Sequence, residues 1–436
     1  MKTPEVALRR SFDVHSSVLA NGLKVLLVEN PSIPTVSMNG SVFAGARYDP
    51  EEKAGLAIMV SRLLDEGTES KTSLEIAEAI ESVGGAIETD GSFERIVVSA
   101  GVLKKDIDLG LALLSDLLMH PTFPPDYVEK EKERTLSEIT SAKDRPQVVA
   151  GWAFNELVYQ EHPLHRPTHG YPHTVEKLMR EDLKAFHAQY FAPNNTVISI
   201  VGDFRVADVL PKIESAFASW ASKPIVFPTY PQPVRQTEKR QRFINMPAQQ
   251  LNIYLGHLGV SRTNPDYYAL QILDTILGGG AGFTARIPQK LRDELGLAYT
   301  TFASITMTAG IDPGRFIAFI GTSPENMTLA KDGLLNEIRR IINEPVTLEE
   351  LQDAKDYLTG SFVFAFESSS QIARFLIHAD VYQLGFDYVE KYPEYVRAIT
   401  VEDVTRVAKQ YLDCDAYSLV VVGPIDENWN PSNANN

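Results

Sequence analysis

The sequence predicts an α+β protein of two homologous domains, each a mainly antiparallel sheet with helices packed on one face. The chain has 436 residues, which is more than a single hydrophobic core usually serves. An internal repeat relates its two halves, and this indicates that one domain has been duplicated. Runs of β-branched residues are grouped with pairs of helices and do not alternate strictly with single helices, which favours α+β over a parallel α/β sheet.

The internal repeat consists of two helix–strand units that lie 221 residues apart. The segments Glu181–Gly202 and Glu402–Gly423 align without a gap. The identical pairs are Glu181/Glu402, Asp182/Asp403, Gln189/Gln410, Tyr190/Tyr411, Val201/Val422 and Gly202/Gly423. Each segment opens with acidic residues, which are typical of a helix N-terminus, and ends with β-branched residues before a glycine. Chance similarity is the alternative, and six identities in register argue against it.

A proline-rich segment separates the two halves. Four prolines lie in the ten residues of Pro224–Pro233, and because proline lacks a backbone donor, this stretch is expected to be an extended linker. The predicted organisation is a first domain at 1–222, a linker at 223–239, a second domain at 240–428 and a polar tail at 429–436.

Hydrophobic periodicity predicts the elements of the first half. Strands are expected near 22–29, 35–44, 93–101 and 196–201. Helices are expected near 52–66, 73–83, 106–118, 126–143, 148–158 and 181–190.

Composition excludes several classes of function. The net charge of −16 argues against nucleic-acid binding, which requires concentrated positive surface. No apolar run reaches the ~20 residues of a membrane span. The start of the chain lacks the apolar region of a secretory signal, so a cytoplasmic location is the default expectation, or a periplasmic one if a leader has been trimmed. The single cysteine, Cys414, allows no internal disulfide.

The segment Gly55–Thr68, GLAIMVSRLLDEGT, resembles the zinc-site helix of the M16 (pitrilysin-like, processing-peptidase-like) metallopeptidases. In that family Gly-Leu-Ala is followed by His-x-x-Glu-His. Here Ile58 and Arg62 stand at the two ligand positions, and Ser61 stands at the position of the general base. Isoleucine cannot ligate a metal, arginine is a permanent cation, and serine is a poor base at neutral pH. The resemblance therefore implies a degenerate motif and no metal in this chain.

The remaining zinc ligand of the M16 family is the later of two glutamates seven residues apart on a downstream helix. The segment Val128–Thr140 offers Glu131 and Glu138, two turns apart on one helical face. Because both partner imidazoles are absent, we interpret this helix as retained scaffold. A weak residual affinity of Glu138 for metal is left open.

The second half contains a motif that the resemblance relates to substrate binding. A glycine-rich segment, Leu277–Gly282, leads to LRDELGLAYT at Leu291–Thr300. In active M16 enzymes the arginine and tyrosine of this motif hold the substrate backbone and the oxyanion of the tetrahedral intermediate. Arg292 and Tyr299 occupy those positions. The alternatives are a surface ion pair between Arg292 and a neighbouring acid, and an ordinary strand aromatic at Tyr299.

The glycine-rich segment itself is a candidate for substrate contact or for a hinge, at Gly278, Gly279 and Gly280. It lacks the Gly-Lys-Ser/Thr ending of a phosphate-binding loop. Farther upstream, three histidines spaced by four, His165, His169 and His173, suggest a helical row of ligands. Prolines between them prevent such a helix, so we interpret these histidines as structural.

The resemblance implies a zinc-less subunit of a heterodimeric M16B-type metallopeptidase that hydrolyses peptides only in the complex. A partner M16 subunit carrying His-x-x-Glu-His is expected to supply the zinc, and this chain is expected to supply Arg292 and Tyr299. The alternative is a non-catalytic assembly protein of the same fold. A self-sufficient peptidase with an unusual metal site is disfavoured by Ile58 and Arg62. Whether the isolated chain forms a homodimer is left open; its partner-facing surface is expected to be partly apolar, and such surfaces often self-associate when the partner is absent.

Overall fold

The computed structural model describes residues 12–279, 285–426 and 430. Its strands are β1 (His15–Val18), β2 (Lys24–Glu29), β3 (Thr35–Val42), β4 (Ala86–Gly91), β5 (Ile96–Leu103), β6 (Thr196–Gly202), β7 (Arg240–Asn245), β8 (Leu251–Leu258), β9 (Ala298–Ser304), β10 (Arg315–Thr322) and β11 (Ser418–Gly423). Its α-helices are α1 (Leu56–Arg62), α2 (Ser73–Glu81), α3 (Ile107–Met119), α4 (Pro125–Lys143), α5 (Pro146–Tyr159), α6 (Pro172–Val175), α7 (Arg180–Tyr190), α8 (Val206–Ala216), α9 (Tyr267–Asp274), α10 (Met327–Asn343), α11 (Leu348–Phe362), α12 (Ser369–Val381), α13 (Tyr388–Ala398) and α14 (Val401–Tyr411).

The described residues fall into two compact units, each of which includes a segment from the other half of the sequence. Among the described residues, unit 1 comprises 12–139, Pro167–Thr229 and Val363–Glu390, and unit 2 comprises Thr140–Arg166, 230–279, 285–362, 391–426 and 430. The segment of unit 1 that comes from the second half of the sequence contains α12, and the segment of unit 2 that comes from the first half contains α5.

The sheet of unit 1 has the strand order β1-β2-β6-β3-β5-β4. Only the β2–β6 pairing is parallel among these strands. Alternate residues of β6, such as Ile198 and Ile200, face a large apolar core that includes side chains of α1, α3 and α8. Ser199 points to the opposite face, where its hydroxyl donates to the carbonyl of Ala373 in α12 at 2.8 Å. Helices therefore cover both faces of this sheet.

The sheet of unit 2 has the order β7-β11-β8-β10-β9, with a parallel pairing only between β7 and β11 among its described strands. Its α5 packs on β8 and β11. The ring of Phe154 in α5 lies 5.8 Å from that of Tyr254 in β8, within a second apolar cluster.

The predicted fold class is confirmed: two α+β units with mainly antiparallel sheets. The repeat is seen as α7 followed by β6 and as α14 followed by β11. The structure adds a helix on the second face of each sheet, and it shortens the helix expected at 52–66 to Leu56–Arg62. Strand β4 was not predicted, because its sequence AIETDG alternates exposed and half-exposed side chains and offers no apolar face.

Membrane insertion through a helix is not supported within the described part of the chain, where no helix combines the length and apolar character that a bilayer span requires.

Two buried histidines are expected to reduce stability below neutral pH. Burial lowers the pKa of His187 to about 4 and that of His257 to about 4. In the unfolded chain each histidine titrates near 6.5, so as the pH falls the unfolded state binds protons first. Their stabilisation is therefore complete above about pH 6.5 and is lost as the pH falls toward 4. At pH 5 the loss amounts to about 2 kcal/mol for each histidine.

Thermal unfolding from pH 7.5 to 5 measures this effect. The variant His187→Gln should show a shallower decrease in Tm over this range than the wild-type chain, whereas the exposed His15→Gln should follow the wild type. An unchanged slope in His187→Gln would contradict the assignment.

Candidate functional site

Helix α1, which corresponds to the degenerate zinc motif, is buried and begins at a carboxylate cap. Asp49, itself 2% exposed, accepts hydrogen bonds from the backbone N–H groups of Gly55 and Ala57, both at 2.9 Å. The negative charge satisfies free donors at the positive end of the helix. The sequence around α1 therefore fixes where its last residue, Arg62, emerges.

Two glycines bring the loop before α6 against the start of α1. Gly55 has φ = 103° and Gly170 has φ = 74°, values that favour glycine strongly. A Cβ atom at Gly170 would lie 1.9 Å from the carbonyl oxygen of Ala54, and one at Gly55 would lie 2.7 Å from that of His169. This close approach places the backbone of His169 beside the start of α1, and its side chain reaches Arg62 at the end of the helix.

The guanidinium of Arg62 lies among three side chains. Its Nη1 donates to Glu131 Oε1 and to Glu138 Oε2, each at 2.8 Å. Its Nη2 lies 3.2 Å from His169 Nε2. The Arg62 side chain is 21% exposed, that of Glu131 is 8% exposed and that of Glu138 is 38% exposed, so the contact with Glu131 is the more desolvated of the two ion pairs. One cation thus connects α1, α4 and the loop before α6.

A second arginine completes the contacts of the two glutamates. Arg134 Nε donates to Glu138 Oε1 at 3.1 Å, and Arg134 Nη1 lies 3.5 Å from Glu131 Oε2. Its side chain is 62% exposed. We call Arg62, Arg134, Glu131, Glu138 and His169 the arginine–glutamate cluster.

The electrostatics of the arginine–glutamate cluster are consistent with two full ion pairs and a neutral imidazole. Burial alone would lower the pKa of Arg62, but hydrogen bonds to Glu131 and Glu138 outweigh it and raise the pKa. Burial would raise the pKa of Glu138, and its contacts with Arg62 and Arg134 reverse this and lower it. Burial and the neighbouring Arg62 lower the pKa of His169, so that its neutral Nε2 can accept a hydrogen bond from Arg62 Nη2.

The residues at the other two motif positions, Ile58 and Ser61, are buried and make contacts within unit 1. Ile58 is 5% exposed, and the Ser61 hydroxyl donates to the Ile58 carbonyl at 2.8 Å. Strand β4 passes so close to α1 that a Cβ atom at Gly91 would lie 2.5 Å from Ser61 Oγ. A cavity of about 450 Å³ is lined by α1, β4, Arg134 and His169.

A catalytic zinc does not fit this site. Nη1 of the Arg62 guanidinium lies 2.8 Å from both Glu131 and Glu138, and Ile58 offers no donor atom. Over residues 12–279, 285–426 and 430 the structure has no group of three or more His, Cys, Asp or Glu side chains arranged to hold a metal ion.

The second candidate site lies in unit 2, where a π-helical segment, Pro288–Glu294, precedes β9 at one end of the sheet. The pairing of β9 with β10 contains a bulge: Tyr299 and Thr300 together oppose the single residue Gly321. Bulges redirect side chains and increase local twist. Tyr299 is 90% exposed, so its ring makes no contribution to the core.

Arg292 forms an ion pair with its neighbour in the sequence, Asp293. Arg292 Nε donates to Asp293 Oδ1 at 2.8 Å, and Nη2 lies 3.3 Å from Oδ2. The hydrogen bond to Asp293 is the main cause of a raised pKa of Arg292, and the electrostatic interaction with Tyr299 adds to it. A joint role of Arg292 and Tyr299 in substrate binding stays a prediction.

The glycine-rich segment is described only in part. Helix α9 continues into a π-helical segment, Thr275–Gly279. Gly278 is buried, and a Cβ atom there would lie 2.4 Å from the backbone nitrogen of Ala303, which gives it a packing reason to be glycine. Gly279 is exposed, and its contact with substrate stays a prediction. Gly280 lies outside the described residues.

Sequence reasoning missed the contact between His169 and Arg62 and the cap formed by Asp49. The signal for both was the pair of glycines, Gly55 and Gly170, which requires close backbone approach. The expected surface pair of Arg292 with an adjacent acid is present at Asp293, together with an exposed Tyr299.

Comparison with known proteins relates both halves of the chain to one family. Residues 24–171 match the family model described as "Insulinase (Peptidase family M16)", and residues 177–358 match that described as "Peptidase M16 inactive domain". An uncharacterized zinc protease of Mycobacterium leprae is 26% identical over 95% of this chain and 93% of its own length. A second uncharacterized zinc protease, from Bacillus subtilis, is 24% identical over 93% of this chain and 97% of its own length.

Solved structures agree with this relation. A crystal structure of a peptidase M16 inactive domain from Pseudomonas fluorescens has a TM-score of 0.89 and 26% identity, and covers 97% of this chain and 100% of that chain. A protease from Helicobacter pylori has a TM-score of 0.87 and 22% identity, and covers 95% of this chain and 100% of that chain. At this identity the similarity concerns the fold alone. The two family models match consecutive parts of the chain, and the similar proteins extend over nearly all of it. The chain belongs to the M16 peptidase family.

Proposed function

We propose that this chain is the zinc-less subunit of a heterodimeric M16B-type metallopeptidase. A partner M16 subunit with an intact His-x-x-Glu-His motif supplies the zinc, the water and the general base. This chain supplies Arg292 and Tyr299, which bind the substrate backbone and the oxyanion of the transition state. Peptide hydrolysis then occurs only in the complex.

The observation that carries the proposal is the contrast between the two motifs. The first motif has a partly buried arginine, 21% exposed, where the family has a metal ligand, and its hydrogen bonds to Glu131 and Glu138 are made within unit 1. The second motif has a tyrosine that is 90% exposed at a bulge, seven residues after Arg292 in the sequence. A large exposed aromatic with no packing role is suited to contact with another molecule.

The residue types suit stabilisation of a developing oxyanion. The phenol of Tyr299 donates one hydrogen bond, and the guanidinium of Arg292 presents several charged donors. Donors of this kind act most strongly when a closed chamber excludes water. The names of the similar proteins, zinc proteases, support peptide hydrolysis as the activity of the complex.

Reconstitution tests the proposal. The partner is an M16 protein of the same genome that carries His-x-x-Glu-His, purified separately. An internally quenched unstructured peptide is the substrate for this chain alone, for the partner alone and for their equimolar mixture. We expect hydrolysis in the mixture alone, abolished by a zinc chelator. Hydrolysis by this chain alone that a chelator abolishes would contradict the proposal.

A non-catalytic assembly role is the second candidate, and the engagement of Arg292 by Asp293 favours it. The same assay separates the two. A complex seen by size-exclusion chromatography that is no more active than the partner alone would support the assembly role.

A further inference from the structure

The arginine–glutamate cluster has the charges of a metal site without the metal. Glu131 and Glu138 both accept hydrogen bonds from a single nitrogen, Arg62 Nη1, at 2.8 Å each. Two carboxylates that share one contact atom repel each other strongly unless a cation lies between them. With Arg62 and Arg134 protonated and His169 neutral, the charges of the cluster sum to zero.

We propose that the guanidinium of Arg62 is a built-in cation that takes over the structural role of a metal ion, holding Glu131, Glu138 and His169 together and making the fold of unit 1 independent of zinc. The proposal rests on geometry within unit 1 and stands whether or not the chain pairs with a peptidase subunit.

The contacts of Arg62 connect three parts of the chain that are far apart in sequence. Arg62 ends α1, both glutamates lie on α4, and His169 lies on the loop that Gly55 and Gly170 bring close. A planar guanidinium with several donors can bind all three at once, which a single-point cation such as the lysine ammonium cannot reproduce. The cation is also permanent, since arginine does not lose its proton in proteins.

The burial of the contacts makes Arg62 the dominant cation of the cluster. Its side chain is 21% exposed, and that of Arg134, which binds the other oxygens of the same glutamates, is 62% exposed. Exposed ion pairs contribute little to stability, whereas loss of one partner of a buried pair leaves an uncompensated charge. The two arginines therefore form a matched pair for a test.

Thermal unfolding of the full chain tests the proposal. We expect Arg62→Met to lower Tm on the order of 5–15 °C, and Arg134→Met to lower it by about 2 °C or less. Neutralising the glutamates in the Arg62→Met background, with Glu131→Gln and Glu138→Gln, should restore at least half of the loss, because the repulsion is then removed. Arg62→Lys keeps the charge, and its Tm should lie between those of Arg62→Met and the wild type. If Arg62→Met does not fold, Arg62→Lys takes its place in the comparison.

Metal dependence provides a second readout. The Tm of the wild-type chain should be the same in EDTA and in excess zinc chloride, whereas zinc should raise the Tm of Arg62→His, in which an imidazole joins the two glutamates and His169. Three results would overturn the proposal: a wild-type chain stabilised by zinc, an Arg62→Met variant as stable as Arg134→Met, or an Arg62→His variant that does not respond to zinc.

Discussion

Tyr299→Phe is expected to lower kcat of the reconstituted complex about 10²–10³-fold, because removal of one oxyanion donor typically has an effect of that size. The hydroxyl is a donor that the phenylalanine ring cannot replace, and the ring itself is retained. Arg292→Ala is expected to lower kcat by a similar factor and also to raise KM, since the guanidinium contacts the substrate backbone as well as the oxyanion. Steady-state kinetics on the internally quenched peptide, with saturating partner, measure both parameters.

Controls separate this effect from folding and from assembly. Tyr357→Phe and Arg339→Ala change exposed residues of the same types in unit 2 and should leave kcat unchanged. Since Tyr299 is 90% exposed, its substitution should leave Tm within about 1–2 °C of the wild type, and size-exclusion chromatography should show an intact complex. Full activity of both motif variants would remove Arg292 and Tyr299 from the mechanism.

Asp274→Ala is expected to destabilise unit 2 by about 3–5 kcal/mol, because it leaves several buried donors without acceptors. Asp274 lies at the end of α9 and is 6% exposed. Its carboxylate accepts from the Ser304 hydroxyl and the Ile305 N–H, each at 2.7 Å, and from the Thr306 N–H at 2.9 Å. These hydrogen bonds connect the end of β9 and the two residues that follow it to the end of α9. Burial raises the pKa of Asp274, and the same hydrogen bonds oppose that shift.

Urea unfolding at pH 7 measures the effect, and hydrogen exchange locates it. Asp274→Asn keeps one acceptor oxygen and should lose about half as much stability. The exposed Asp353→Ala, on α11 of unit 2, is the matched control and should change the free energy of unfolding by no more than about 0.5 kcal/mol. In Asp274→Ala we expect faster amide exchange in β9. A loss as small as that of Asp353→Ala would contradict the anchoring role.

The fold class could be predicted from sequence because the repeat and the apolar strands carry strong signals. Strands β2, β3, β5 and β6 each have buried residues on at least one face. Strand β4 carries no such signal, although it lines the cavity beside α1. Strand β4 pairs with β5. It can lie close to α1 because Gly91 has no side chain that would collide with Ser61. Local composition contains neither piece of information.

The residues at the zinc-ligand positions can be read from the sequence, but the contacts of the two glutamates on α4 could not be predicted from it. Ile58 and Arg62 exclude zinc by residue type alone. The interpretation of α4 as a charged helix without a site missed that Glu131 and Glu138 both reach Arg62. That contact depends on the packing of α4 against α1, over a sequence separation of about seventy residues, and no local pattern encodes it.

The zinc content of the purified chain tests the central claim most directly. After dialysis first against buffered zinc and then against metal-free buffer, plasma mass spectrometry gives the ratio of zinc to protein. With the metal position filled by Arg62, we expect a ratio close to zero for this chain and close to one for its partner. A ratio close to one in the isolated chain, lost on treatment with a chelator, would contradict the account.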